Sequence, residues 1–202
     1  MDHLLPIAVG LGLAAASGLR VFVPLLVLSV GAALGRVPLA EGWQWIGSTP
    51  ALIALGTATV MEVAAYAVPW LDHALDVLAT PAALVAGMVA TASVAVDLPP
   101  VVKWGIVIIG GGGMAGLVQG ASVAARLKSG IFTGGLANPI VSITELAGAV
   151  LLSLFALLVP IVTLVVLAVL LFFLFRRAGR LLFGHRRDVR APGGSDARPY
   201  GR

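Results

Sequence analysis

The length of its uncharged runs constrains this chain more than any other feature. Between residues 4 and 34 the only charged side chain is Arg20, and between 139 and 175 the only one is Glu145. A straight helix over 4–34 would be about 46 Å long, against a hydrocarbon core of about 30 Å, so the segment is expected to kink or divide near Gly18, Arg20 and Pro24. Composition points the same way. The chain is 59% hydrophobic and 11% charged with a mean hydropathy of +1.06, whereas soluble domains are roughly 45–50% apolar and about a quarter charged. An ordinary water-soluble domain is excluded, and the expectation is an all-α, polytopic helical membrane protein with broken or kinked helices.

The polar breaks divide the chain further. Residues 36–49, with Pro38, Glu41, Trp43 and Trp45, read as a loop whose tryptophans rest at the headgroup level. A span is expected from Pro50 to Trp70. Residues 71–79 look like a short interfacial helix, with Asp72 and Asp76 on one side and Leu71, Leu75 and Leu78 on the other. Spans over 81–96 and 101–125 follow, then a glycine-rich loop (SGIFTGGLANP). The run 139–175 allows two minimal spans turning at Pro160 or one long kinked helix. About six spans result, within a range of five to seven, and Met1-Asp2-His3 begins the first span rather than a cleaved leader.

Charge is distributed unevenly. Residues 1–175, the expected transmembrane domain, hold five basic side chains against seven acidic ones, while the rest of the chain holds eight arginines against Asp188 and Asp196. A basic juxtamembrane segment (176–190) and a disordered tail (191–202) are expected, with the C-terminus cytoplasmic and the domain in the inner membrane. The arginines suit anionic lipid headgroups better than nucleic acid. With no cysteine in the chain, disulfides, thiol nucleophiles and Cys-based metal sites are excluded.

Gly112, Gly116, Gly120 and Ala124 recur every four residues, a pattern that lets a neighbouring helix approach, either within the chain or from a second copy. Ala82, Ala86 and Ala90 with Ala83 and Gly87 could supply the other half. The run Gly110–Gly113 weakens helix propensity and suggests tight packing or a local break. LGLAAASGLR, ending at Arg20, is similar to LVQGASVAAR, ending at Arg126. TVMEVAAYAV around Glu62 is similar to SITELAGAVL around Glu145. With three spans in each half these would form an inverted 3+3 repeat.

Glu62 and Glu145 are the carboxylates placed deepest in apolar segments, where each needs a cation, a proton or water. Asn138 and Ser142 belong with Glu145, Ser142 lying one turn before it. Two readings stand: proton or cation handling, with Arg20 and Arg126 as counter-charges, or static pairs of Glu62 with Arg20 and Glu145 with Arg126 that fix packing. Asp72, His73 and Asp76 could offer an interfacial cation site, though three ligands are too few for a complete one. No metal or cofactor is expected. Walker A, GxSxG and HExxH patterns are lacking, so an enzyme is not expected either.

GLRVFVPLLVLS, the E-x(9)-D-x(3)-D spacing of Glu62, Asp72 and Asp76 flanked by Pro69 and Pro81, and GGLANPIVSITELAG carry a family likeness. The chain resembles the small bacterial and plastid membrane proteins grouped as domain of unknown function 4126, over about residues 5–175. The resemblance implies an integral membrane protein of this length and brings no catalytic residues.

Two functions follow from these readings. A transporter or channel for an ion or small solute, expected as a homo-oligomer in the bilayer, requires a polar cavity reaching both glutamates. A non-transporting scaffold or assembly factor requires a dry interior with paired carboxylates.

Overall fold

The computed structural model describes residues 3–65, 69–95, 98–133 and 138–183, with backbone alone at 69–77, 130, 132–133, 138–139, 174–175 and 177–183. The described residues are helical, without strands. The order is α1 (Leu4–Ser17), α2 (Phe22–Ala33), a 3-10 turn (Gln44–Gly47), α3 (Thr49–Ala65), α4 (Pro69–Val94), α5 (Pro100–Gly105), a π-helical stretch (Ile106–Gly112), α6 (Gly113–Thr133), α7 (Asn138–Leu158) and α8 (Pro160–Phe183). The chain forms two compact units, Met1–Val165 and Val166–Arg202.

The expected break after Gly18 is present. Fourteen residues of α1 and twelve of α2 give helices of about 21 and 18 Å, each shorter than a hydrocarbon core of about 30 Å. The first is rich in Ala and Gly because three neighbours approach it closely. A Cβ on Gly10 would lie 3.0 Å from the Thr91 Cα of α4, one on Gly12 2.6 Å from the Ala156 Cβ of α7, and one on Gly18 2.5 Å from the Ala115 oxygen of α6. Each glycine therefore admits a different helix. Around them Leu13, Leu28, Ile46, Ala90, Val94 and Ala156 form the main apolar cluster.

Several boundaries differ from the sequence reading. Residues 71–79 are not a separate interfacial helix, since α4 runs from Pro69 through Pro81 to Val94. The helix after Pro100 continues past Arg126 and Lys128 to Thr133, so the glycine-rich loop starts later than its composition suggests. The Gly110–Gly113 run does not end the helix. It widens it into a π-helical stretch, the form in which a helix absorbs an extra residue without terminating. At Pro160 helical bonding runs across the junction, Val159 donating to Phe155 (2.8 Å) and Thr163 to Val159 (3.0 Å). Helical bonding therefore continues into the first turn of α8 instead of ending in a loop, with Pro160 costing one hydrogen bond.

Among the described residues, two helices, Pro100–Ser129 and Ile140–Leu158, are long and apolar enough to cross a membrane. Large apolar side chains cover the outside of the first unit, among them Val101, Ile109, Ile131, Ile143 and Leu158, while Arg20, Arg126 and Glu145 are buried. Water would penalise so much exposed apolar surface, and the arrangement is consistent with a helical membrane protein.

Candidate functional site

The break between α1 and α2 leaves the first backbone N–H groups of α2 without intrahelical acceptors. Pro24 removes one such donor from the first turn, because it has no N–H. Two of the others meet Glu62, which reaches across from α3. Its Oε1 accepts from the Val21 N–H (2.8 Å) and its Oε2 from the Phe22 N–H (3.1 Å). A carboxylate at the positive end of a helix dipole is favourably placed. Glu62 thus caps a helix to which it does not belong, and this tie fixes α3 against the break.

Arg20 lies between the two half-helices and, at 2% exposure, is the largest fully buried side chain. Its Nη2 donates to the Ser142 carbonyl of α7 (2.9 Å) and to the Ser142 hydroxyl, and stands 3.9 Å from the Glu145 Oε2. Glu145 in turn meets α6. Arg126 grips it with Nε on Oε1 (3.0 Å) and Nη2 on Oε2, and Ser122 donates to Oε1. This two-pronged guanidinium–carboxylate contact is the strongest geometry open to the pair.

Of the two expected acid–base pairs, Glu145 with Arg126 is present. Glu62 with Arg20 is not a hydrogen-bonded pair, because the Arg20 guanidinium turns toward α7 while Glu62 takes backbone donors. Both guanidinium groups still lie within coulombic range of Glu62, so the two arginines and two glutamates form one cluster. Ser142 joins it as an acceptor. The Asn138 side chain and those of Asp72, His73 and Asp76 lie outside the described residues, and no cluster of three metal-ligating side chains occurs among the described ones.

Each glutamate also borders a cavity. One of about 400 Å³ is lined by Val21, Phe22, Met61, Glu62, Leu78 and neighbouring alanines of α3 and α4. The other, of about 440 Å³, is lined by Leu19, Ser122, Ile140, Thr144, Glu145 and Gly148 among others. Leu19 faces one cavity and Val21 the other, so the break carrying Arg20 separates them. The transport reading requires one cavity reaching both carboxylates, but neither of these two is lined by both, and both linings are mostly apolar.

The glycine stripe also sits differently from its sequence reading. Gly112 and Gly116 approach the Met88 and Leu84 side chains, but Gly120 and Ala124 are exposed. The close helix contact lies one residue earlier, where a Cβ on Gly111 would come within 2.7 Å of the Gly87 oxygen, and one on Gly87 within 2.6 Å of the Ala115 Cβ. Gly111, Ala115, Gln119, Ser122 and Arg126 form the buried face. Their spacing of 4, 4, 3 and 4 is helical. Ser122, absent from the sequence reading, was visible there as the residue one turn before Arg126.

Fold and cluster together define an all-helical protein with an apolar exterior and a core that buries charged side chains. The chain belongs to the family described as Domain of unknown function (DUF4126), which matches residues 7–180. No curated protein and no solved structure matches it.

Proposed function

We propose that this chain is an inner-membrane transporter or channel for a small solute or ion, with Glu62 and Glu145 as its working carboxylates and Arg20 and Arg126 as their counter-charges. One observation carries the reading: each carboxylate borders its own cavity, on either side of a helix break that buries Arg20. Discontinuous helices with charged groups at the break are a recurring way to place a site inside a bilayer. The similarity between the halves supports an inverted repeat, since Glu62 binds the residues following Arg20 and Glu145 binds Arg126. The arginine-rich end, of which 184–202 lies outside the described residues, is assigned to the cytoplasmic face, against anionic lipid.

A static scaffold is the competing reading, and the apolar linings and the Glu145–Arg126 pair favour it. Flux separates the two. Proteoliposomes holding the wild type are expected to move protons or a monovalent cation faster than empty liposomes, followed with internal pH- and cation-sensitive dyes. Equal rates over the whole panel would leave the scaffold.

A further inference from the structure

The two cavities differ in charge, and the difference specifies a ligand. Glu145 is neutralised by the bidentate Arg126 contact and by Ser122. Glu62 accepts only backbone N–H groups. Two hydrogen bonds occupy about half of the roughly four acceptor positions of a carboxylate, which leaves acceptor capacity on a side chain that lines the cavity. Arg20 and Arg126 act on Glu62 at longer range, while Arg20 donates to Ser142 and Arg126 to Glu145. Glu62 is thus the carboxylate of the cluster without a hydrogen-bonded cation.

We propose that the Glu62 cavity binds a small organic monocation, a protonated amine or quaternary ammonium with an apolar body. This rests on the transport reading and names its substrate class. Other classes fit less well. A divalent metal ion needs about six oxygen ligands, and the described lining offers one carboxylate among apolar side chains. An anion would face Glu62 directly. A lipid tail would bury the carboxylate against hydrocarbon with nothing to offset its lost hydration. An organic cation supplies Glu62 with a direct cationic partner while its body covers Val21, Phe22, Met61 and Leu78.

The volume of about 400 Å³ lies at the lower end of the range for ligand pockets, roughly 300–1,000 Å³. Access fits as well. Helices α3 and α4 touch only slightly, and Met61 and Leu78, one from each, are exposed at the mouth. The cavity therefore opens through the apolar flank of the protein, where a lipophilic cation accumulates.

The test is calorimetric titration of purified full-length protein in detergent with phenyltrimethylammonium, and competition by tert-butylbenzene, which has the same shape without the charge. Saturable binding of the cation is expected. Ala58→Phe should abolish it by filling the cavity, and Glu62→Gln should weaken it roughly tenfold or more. Absence of binding by the wild type, unchanged affinity in Ala58→Phe, or equally tight competition by tert-butylbenzene overturns the proposal. Should Glu62→Gln fail to fold, Ala58→Phe decides, because it leaves the carboxylate and its two backbone bonds in place. Binding without flux keeps the site and removes transport. Flux without binding keeps transport and removes the site.

Discussion

Glu145→Ala is expected to lower folding stability by about 3–5 kcal/mol, the cost of leaving a buried charge without its partner. The substitution removes the carboxylate that Arg126 grips and that Arg20 approaches to 3.9 Å. Arg126→Ala should cost less, because Glu145 can then draw in Arg20. The double variant should cost less than the two single ones together, as for any directly coupled pair. Unfolding of the detergent-solubilised protein, followed by circular dichroism, measures all three. Equal losses from the two single substitutions, or strict additivity, would mean that Arg20 does not share the Glu145 charge.

Gly18→Ala is the second large effect, expected to cost about 1–3 kcal/mol by overpacking. Its Cβ would stand 2.5 Å from the Ala115 oxygen and 2.9 Å from the Gln119 nitrogen, both backbone atoms of α6, which cannot rotate aside. The helix would have to shift, and with it the arm that carries Ser122 and Arg126. Gly120→Ala should be neutral or gain up to about 1 kcal/mol, because nothing lies within 4 Å of its added methyl group and alanine favours the helix. The two signs together test which face of α6 is packed. Tolerance at 18 with loss at 120 would place the contact on the face containing Gly120. The same unfolding measurement reads both.

How far the sequence revealed this arrangement depends on what each residue answers to. The helical class and the break near Arg20 were legible because hydrophobic run length and bilayer thickness are both simple lengths. Glu145 with Arg126 was legible as one of two readings, since Glu145 is the only charge in its apolar segment and needs a partner there. The partner of Glu62 was not. Backbone donors freed by a helix break leave no side-chain signature, and only the fold brings α3 to them. The glycine stripe misled by one position because Gly112, Gly116 and Gly120 form a regular pattern, whereas the packed face mixes Gly111 and Ala115 with Gln119, Ser122 and Arg126. Small size and polarity share that face, so a search for glycine alone finds its neighbour. The run through 71–79 read as interfacial because its charges are four apart, yet the backbone there simply continues as α4.

The most direct test of the central claim compares cation flux through wild-type and Glu62→Gln protein in proteoliposomes at equal folded yield. Glutamine keeps the size of the side chain while removing the charge, so packing around the cavity changes little. A fall in flux of roughly tenfold or more is expected, the effect of losing a charged partner in a buried site. Wild-type flux through Glu62→Gln would contradict the account, because the carboxylate at the break would then have no part in the movement of solute.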